Sequence, residues 1–339
     1  MPNILLFKFL NCSKFSSLID GKDLKSLINF TIIQSGRIWV DGCFDMGHFG
    51  HGNLLRQAKE LGGIIVCGVH SDEEIKKHKN RAPILTEDER YNLVKGFKWV
   101  DEVVKGVPYI TTLETLDKYE CALAVHGSDI SSAKDGSNTY QAIIDAGLYQ
   151  EVPRTQGIST TKLIKRVLGD FTDVSPYTGN SLLFSTSRIF DYCKGNVRAK
   201  DTDCIIYVDG CFDLYHPGHV DFLRQAKSCG DYLIVGVHDA TVSGLKGHAN
   251  PYMSLHERAL TVLACKYVDE VIIGAPYKVT EELMEYFKID KVYHGMHNIE
   301  LDAYAVPMQQ EKFFLIESGK QDQYFIHCTS QERHYKLYL

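Results

Sequence analysis

A chain of 339 residues can form two domains of roughly 150 residues, each large enough to bury a core of its own. Its content of 44% hydrophobic and 24% charged residues is typical of globular protein, and a net charge of −6 offers no general basic field for nucleic acid. The 10 cysteines include no C-x-x-C pair, which argues against a zinc site and favours a reduced compartment. We therefore expect a cytoplasmic protein with no nucleic-acid partner and no metal site of its own.

Neither a transmembrane segment nor a signal peptide is expected from this sequence. No stretch approaches the roughly 20 apolar residues that a membrane-spanning helix needs. The N-terminal sequence MPNILLFKFLNCSKF contains a short apolar run that Lys8 interrupts, and it lacks a basic leader. Residues 1–36 are therefore interpreted as an N-terminal extension.

From residue 37 onwards the sequence predicts alternating strands and helices. In chain order these are a strand at 37–40, a helix from about 51 to 61, a buried strand at 64–69, a helix at 86–97, strands at 102–104 and 122–125, and a helix at 162–167. Thr86 and Glu89 have the spacing of a capping box. This alternation predicts an open parallel sheet, in which ligands bind beyond the carboxyl ends of the strands. Segments 44–51, 69–71 and 126–129 should converge there.

The chain repeats this pattern once at a fixed spacing. DGCFD at 41–45 recurs at 209–213, LLRQAK at 54–59 recurs as FLRQAK at 222–227, and VDEV at 100–103 recurs at 268–271. So long an ungapped match indicates a duplicated domain, because solenoid repeats are much shorter. The predicted fold class is α/β, with two tandem Rossmann-like domains on parallel sheets. The predicted boundaries are 37–169 for the first domain, 170–203 for a linker, 204–317 for the second domain and 318–339 for a divergent tail.

A histidine motif lies where the first strand turns into the first helix. His48 and His51 flank Gly50, which lets the backbone approach a phosphate closely, and the helix N-terminus adds free N–H groups and partial positive charge. Two imidazoles there can donate hydrogen bonds to phosphoryl oxygens as charge develops. No nucleophilic side chain lies between them, so a direct in-line displacement is expected. The alternative is two helix-capping histidines, and recurrence of the motif at His216 and His219 argues against it.

A second phosphate-binding element is predicted near the end of the first copy. RTQGISTT at 154–161 places an arginine, a glycine and several hydroxyls just before a predicted helix, a combination that can hold an anion. Alone, Ser-Thr-Thr is usually only a helix cap, and the histidine motif is what favours the binding interpretation. Lys79 lies in a predicted loop that could close over phosphates, although a surface lysine is more often simply solvated.

Together these motifs resemble the cytidylyltransferases of phospholipid synthesis. The shared pattern is G-x-F-D-x-x-H-x-G-H at 42–51, followed by R-x-x-G-I-S-T-T at 154–161. KWVDEVV at 98–104, PYITTLETLDKY at 108–119 and HGSD at 126–129 are similar to the first domain of the ethanolamine-phosphate branch, whose members have two tandem catalytic folds. Residues 207–221 and 256–277 are similar to its second domain, and residues 182–195 to its linker. The resemblance covers about residues 37–317 and implies a nucleotidyltransferase.

The resemblance implies that phosphoethanolamine attacks the α-phosphate of CTP, giving CDP-ethanolamine and pyrophosphate, with Mg²⁺ on the phosphates. It implies that His48, His51, Lys79 and Arg154 are catalytic, and that the nucleotide site is formed by Gly42, Cys43, Phe44, His126, Gly127, Asp129, Gly157, Ile158, Ser159, Thr160 and Thr161. Asp45 is expected to orient either the amine-bearing substrate or the neighbouring loop. The resemblance further implies an intramolecular pseudo-dimer of the two domains, located in the cytoplasm and near the cytosolic face of the endoplasmic reticulum.

The second copy keeps only part of this signature. A possible second nucleotide site would consist of Cys211, Phe212, His216, His219, Lys246, His294, Gly295, Met296 and His297. Ser318 aligns with Arg154, and the sequence after Gly319 contains no G-I-S-T-T. We therefore expect turnover in the first domain and at most weak nucleotide binding in the second.

Three alternatives remain open on these motifs. A choline-phosphate cytidylyltransferase would be expected to have one catalytic domain followed by a long lysine-rich amphipathic helix, and this sequence shows neither pattern. An adenylyl- or pantetheine-type transferase would share the histidine motif but not the stretches at 98–104 and 108–119. A non-catalytic protein that binds CTP as a sensor would suit the incomplete second copy, whereas the intact motif at 154–161 argues against it.

Overall fold

The computed structural model describes residues 36–129, 132–133, 136–169, 186–239, 251–296 and 299–317. These residues form two five-stranded parallel sheets with flanking helices, which confirms the predicted α/β class with two tandem domains. The C-terminal tail at 318–339, residues 1–35 of the N-terminal extension and residues 170–185 of the linker lie outside the described residues. Within the described part, no helix is long and apolar enough to cross a membrane.

The first sheet has the strand order β3-β2-β1-β4-β5. Its strands are β1 (Arg37–Gly42), β2 (Ile64–His70), β3 (Glu102–Val107), β4 (Cys121–Gly127) and β5 (Tyr149–Val152). Its helices are α1 (Phe49–Glu60), α2 (Asp72–Lys79), α3 (Glu87–Lys95), α4 (Leu113–Lys118), α5 (Gln141–Asp145) and α6 (Thr160–Val167). Strands β2 and β3 are added in turn on one side of β1, and β4 and β5 are then added on its other side. The carboxyl ends of β1 and β4 therefore form the switch point at which such sheets bind ligands.

The second sheet repeats this arrangement, with the order β10-β9-β6-β7-β8. After helix α7 (Thr186–Cys193), it contains β6 (Ile205–Gly210), β7 (Tyr232–His238), β8 (Glu270–Ala275), β9 (Lys291–Gly295) and β10 (Phe313–Ile316). Its helices are α8 (Pro217–Lys227), α9 (Leu255–Leu263), α10 (Glu281–Tyr286), a 3₁₀ turn (Leu301–Tyr304) and α11 (Ala305–Gln309). The repeat in the sequence is thus a repeat of topology.

The central strands are buried on both faces, as their continuous apolar runs predict. Trp39 of β1 and Val66 of β2 are fully buried. Gly68 lies beside the indole of Trp39, and a Cβ on this glycine would stand 2.5 Å from Trp39 Cζ2. The glycine therefore makes room for the tryptophan in the middle of the first sheet.

The structure corrects several predicted boundaries. Helix α1 begins at Phe49 with His48 as its N-cap, and α6 begins at Thr160 with Ser159 as its N-cap. Lys79 is the last residue of helix α2 rather than part of a loop. This helix has acidic residues in its first turn and basic residues in its last, which suits the helix dipole, but it buries a single side chain, Ile75. Hydrophobic periodicity therefore carries almost no signal for it, whereas the capping box that begins α3 is confirmed.

The two sheets share a packed seam. The backbone N–H of Lys98 donates to Ala264 O, and that of Lys266 donates to Gly96 O, each at 2.8 Å. Phe97 and Cys265 pair as an antiparallel bridge between these bonds. One apolar cluster includes buried side chains from both domains, so burial at the seam contributes to the stability of each half.

Candidate active site

A cavity of about 350 Å³ opens at the carboxyl ends of β1 and β4 in the first domain. Its lining includes every residue proposed from the sequence for the first-domain site except one: Gly42, Cys43, Phe44, Asp45, His48, His51, Lys79, His126, Gly127, Asp129, Arg154, Ile158, Ser159, Thr160 and Thr161. Gly157, the exception, has φ of 88° in the turn that leads into α6. That left-handed conformation favours glycine, so Gly157 contributes to the site through the shape of the turn.

The two histidines of the first domain form a stacked pair at the start of α1. Their ring centroids lie 3.7 Å apart with an interplanar angle of 15°. Nδ1 of His48 accepts the backbone N–H of His51 at 3.3 Å, so the proton of a neutral His48 ring lies on Nε2. The His51 ring also packs beside Phe44, with centroids 5.3 Å apart. The ring positions are therefore fixed by the helix cap and by aromatic packing.

Burial keeps both imidazoles neutral. It lowers the pKa of His48 well below its ordinary value, with further contributions from His51, Arg154 and Arg166. Burial and the charge of Lys79 lower the pKa of His51 to about 3, although Asp129 acts in the opposite direction. Each ring thus presents one N–H at neutral pH. Among the described residues, the buried Nδ1 of His51 has no hydrogen-bond partner.

Gly50 brings the two predicted phosphate-binding motifs together. A Cβ at this position would lie 2.9 Å from His48 Nδ1 and 2.9 Å from Ile158 Cγ2, so a side chain does not fit. One turn further along α1, Asn53 Nδ2 donates to Thr155 Oγ1 at 2.8 Å. The helix that carries the histidines and the segment at 154–161 are therefore in direct contact.

The N-terminus of α6 faces the same cavity. Ser159 caps this helix by accepting the N–H of Lys162 at 3.2 Å, and the Thr160 hydroxyl donates to the carbonyl of Asp45 at 2.7 Å. Arg154 lies at the rim, half exposed, with Nη1 3.2 Å from Asp129 Oδ2. The site thus places a helix N-terminus and a guanidinium in the same cavity as the two imidazoles, an arrangement suited to an anion.

Asp45 organises the loop between α2 and α3. Its carboxylate is buried and accepts the backbone N–H groups of Ile84 at 2.8 Å and Leu85 at 2.9 Å. Both carboxylate oxygens are therefore used by the loop that carries Arg81. Of the two roles expected for Asp45, these contacts fit the orientation of the loop.

Several lining residues, among them Asp41, His70, Arg81, Tyr109 and Tyr140, were not proposed as site residues from the sequence, although His70 lies in the segment 69–71 that was expected there. Asp41 Oδ1 accepts the Tyr140 hydroxyl at 2.6 Å, and Asp41 Oδ2 accepts the Thr111 hydroxyl at 2.7 Å. Burial lowers the pKa of His70, which lies beside Asp41. The clue for Arg81 is its position two residues after Lys79, whereas the tyrosines reach the site through tertiary folding that no local pattern reveals.

The histidines of the second domain also lie as a pair, each partly buried, but their surroundings differ. The centroids of His216 and His219 lie 4.0 Å apart, and His219 stacks on Tyr215 at 5.3 Å. Burial lowers the pKa of both, that of His219 to about 4. A cavity of about 460 Å³ in this domain lies against α10 and α11 and includes neither histidine.

The other positions of the predicted second site are only partly described. Cys211 and Phe212 lie in the loop after β6, where Phe212 is buried 5.4 Å from the ring of His219. His294 and Gly295 end β9, and Met296 is about half exposed. Lys246 and His297 lie outside the described residues.

The sequence matches the family model described as cytidylyltransferase-like over residues 39–166 and 207–311. The chain belongs to this cytidylyltransferase-like family. It is 43% identical to ethanolamine-phosphate cytidylyltransferase of Mus musculus over 84% of this chain and 82% of that protein. It is 45% identical to the protein of the same name in Dictyostelium discoideum, over 80% of this chain and 84% of that one. Choline-phosphate cytidylyltransferase A of Mus musculus is 36% identical over 40% of this chain and 37% of its own length.

The comparisons confirm the resemblance to the ethanolamine-phosphate branch of the cytidylyltransferases. Relatives with that name match over most of the chain, whereas the choline-phosphate relative matches less than half of it.

Within the described residues, no group of three or more His, Cys, Asp or Glu side chains could hold a metal ion.

Proposed function

We propose that this cytidylyltransferase transfers the cytidylyl group of CTP to phosphoethanolamine, giving CDP-ethanolamine and pyrophosphate. One observation carries the proposal: the stacked, neutral His48 and His51 share a cavity with Arg154 and the N-terminus of α6. The substrate pair comes from the names of the relatives that match across both domains.

The proposed reaction is a direct displacement at the α-phosphorus of CTP. A phosphate oxygen of phosphoethanolamine forms the new bond, and the bond from the α-phosphorus to the oxygen that bridges it to the β-phosphate breaks. The electron pair of that bond leaves with pyrophosphate. A phosphomonoester loses its second proton with a pKa of about 6, so the nucleophile is already a dianion near neutral pH and needs no general base. Neutral imidazoles suit this chemistry because they can donate N–H groups to the phosphoryl oxygens without removing a proton.

Positive charge around the cavity is proposed to stabilise the leaving pyrophosphate. Lys79, Arg81 and Arg154 all line this cavity. Arg154 is paired with Asp129 at the rim, and a triphosphate offers its guanidinium a second acceptor with bidentate geometry. If the Arg154 guanidinium left the Asp129 carboxylate and paired with a phosphate group, Arg154 would bind the nucleotide directly.

We propose that Mg²⁺ enters with the triphosphate. Protein sites for this ion commonly supply one or two carboxylates, and phosphate oxygens and water complete its coordination. Asp41 and Asp45 already accept two hydrogen bonds each from neighbouring protein groups, so Asp129 is the lining carboxylate that remains for this purpose within the described residues. When bound, the ion would neutralise negative charge on the phosphates.

We further propose that the two domains act as an intramolecular pseudo-dimer in which the first performs turnover. The reciprocal backbone bonds of Lys98 and Lys266 support the pairing. The absence of G-I-S-T-T from the second copy supports the division of roles. A cytoplasmic location, near the endoplasmic reticulum where lipid synthesis would use the product, fits the eight described cysteines, all of which are free thiols.

Pyrophosphate release from CTP and Mg²⁺ tests the proposal, with phosphoethanolamine and phosphocholine offered in parallel. Release that depends on phosphoethanolamine, in equal amount to CDP-ethanolamine, is the expected result. Preference for phosphocholine would refute the proposed acceptor and leave the reaction type intact. A folded protein that binds CTP and turns over neither acceptor would contradict the proposal and favour a nucleotide sensor.

A further inference from the structure

A buried ion pair connects the phosphate-binding helix of the first domain to the second domain. The Arg166 guanidinium, near the end of α6, donates to Glu257 Oε2 at 2.8 Å and to Glu257 Oε1 at 3.0 Å. The two side chains are only 2% and 1% exposed. Arg166 Nη1 also donates to the carbonyl of Tyr252 at 3.1 Å. Such a two-pronged, fully buried contact fixes both distance and angle between the groups that it joins.

The platform that receives Arg166 is itself rigidly held. Glu257 closes the capping box of α9, because its carboxylate accepts the N–H of Ser254 at 2.8 Å. The neighbouring backbone N–H groups of Tyr252 and Met253 donate to the carboxylate of Asp213 at 2.6 and 2.9 Å. The Arg166 guanidinium therefore docks on a segment whose own hydrogen bonds already fix its position.

The opposite end of α6 lies in the active site. Thr160, in its first turn, is bonded to the carbonyl of Asp45, and Arg166 follows roughly 9 Å further along the helix axis at 1.5 Å per residue. Leu163, between them, is fully buried. A short helix held at both ends moves as a rigid unit, so a shift at Arg166 is transmitted to the hydroxyls and N–H groups at 159–161.

The contact has no described counterpart in the reverse direction. Glu89 occupies the position in the first domain that Glu257 occupies in the second, and it closes the same kind of capping box with Thr86. Within the described residues, Glu89 accepts hydrogen bonds from Thr86 and no arginine pairs with it. Among the described residues, the contact therefore links helix α6 of the first domain to helix α9 of the second, and no equivalent contact links the second domain back to α3.

We propose that Arg166 and Glu257 are an interdomain positioning pair, through which the second domain holds the N-terminus of α6 against the histidine motif. Neither residue touches substrate; the pair acts through α6. The inference rests on the proposed function for the identity of the nucleotide. It assigns the second domain a specific physical task in CTP binding that needs no nucleotide in its own site.

Two variants of the full-length chain test the pair. Arg166→Lys keeps the positive charge but removes the guanidinium that makes two parallel hydrogen bonds to Glu257. Glu257→Gln keeps the shape of the side chain but leaves the Arg166 guanidinium without its counter-charge. The expected result for Arg166→Lys is a loss of about 10-fold or more in CTP affinity and in kcat/KM for CTP, because small misplacements of binding groups are costly. KM for phosphoethanolamine should be unchanged. Glu257→Gln should have the larger effect, and if it fails to fold, Arg166→Lys still decides the question.

Asp221→Asn is the matched control, because it breaks an exposed ion pair with Arg224 on α8 of the second domain. It should leave both affinity and kinetics at the wild-type values. A folded Arg166→Lys variant with unchanged CTP affinity and KM, even with a lower melting temperature, would overturn the proposal and leave only a structural role. Direct calorimetric binding of CTP keeps this test separate from the proposed reaction, because it gives an answer even if the wild type turns over no phosphoethanolamine.

Discussion

The substitution Asp45→Asn separates two roles that one buried carboxylate could have in this site. Asp45 accepts two backbone N–H groups, from Ile84 and Leu85, and hydrogen bonds to a charged acceptor contribute about 1.5–3 kcal/mol each. Asparagine keeps one acceptor oxygen and turns its NH₂ group towards the second N–H. Burial raises the pKa of Asp45, so its charge is costly there and the neutral amide recovers part of the loss. We therefore expect the free energy of unfolding to fall by about 1–2 kcal/mol.

The kinetic consequence depends on which group Asp45 orients. If it holds the loop that carries Arg81, release of that loop should weaken binding of the triphosphate. We expect kcat/KM for CTP to fall about 10-fold, equivalent to about 1.4 kcal/mol, with KM for phosphoethanolamine unchanged. Urea unfolding and steady-state kinetics with each substrate varied in turn measure the two effects.

The control for this experiment is Asp101→Asn. Asp101 accepts the N–H of Ile65 and pairs with Lys59 at the amino end of β2, far from the cavity. This variant should lose stability without a change in kinetics. A rise in KM for phosphoethanolamine alone in Asp45→Asn would refute the loop interpretation, and unchanged kinetics would refute both roles.

Three further predictions concern charge and space in the site. Because burial lowers the pKa of His51 to about 3 while the unfolded chain keeps about 6.5, the unfolded state binds the extra proton between these values. The contribution of neutral His51 to the free energy of unfolding is therefore fully present above pH 6.5, and it falls by up to about 1.4 kcal/mol per pH unit as the pH is lowered below that value. The free energy of unfolding of His51→Ala, measured in urea, should consequently depend less on pH than that of wild type. Arg154→Ala should raise KM for CTP about 10-fold or more through loss of a phosphate contact, and Arg154→Lys should recover part of it in the same assay. Gly50→Ala should lower stability by about 1–3 kcal/mol in thermal unfolding and also reduce turnover, because its Cβ meets the His48 ring; full activity would show that the site adapts.

The sequence was sufficient for those parts of the fold and site that local patterns encode. Apolar runs with capping and turn residues between them identified strands β1 to β4 of the first domain and the helix that Thr86 begins, whereas the short strand β5 was not predicted. The histidine motif and the segment at 154–161 were separately recognisable as anion-binding elements. Parallel-sheet topology predicted that the histidine motif would meet segments 69–71 and 126–129, and the family resemblance was what joined 154–161 to the same site. The fixed spacing between the two copies was enough to identify the duplication.

Other features depend on tertiary contacts between distant segments and could not be predicted in this way. Helix α2 buries only Ile75, so its polar sequence was mistaken for a loop around Lys79. The Asp41–Tyr140 bond joins residues almost a hundred positions apart. The pairing of Arg166 with Glu257 spans the domain boundary, and no local sequence pattern links the two residues.

The central claim is that cytidylyl transfer takes place in the first domain, and comparison of His51→Ala with His219→Ala tests it most directly. Pyrophosphate and CDP-ethanolamine should be measured together, under conditions where circular dichroism shows both variants to be folded. His51→Ala should reduce kcat/KM by at least about 100-fold, the scale for removal of a donor that stabilises a transition state. His219→Ala should retain most of the turnover, because its ring packs on Tyr215 outside the first-domain cavity. Comparable losses in the two folded variants, or greater loss in His219→Ala, would contradict the assignment of catalysis to the first domain.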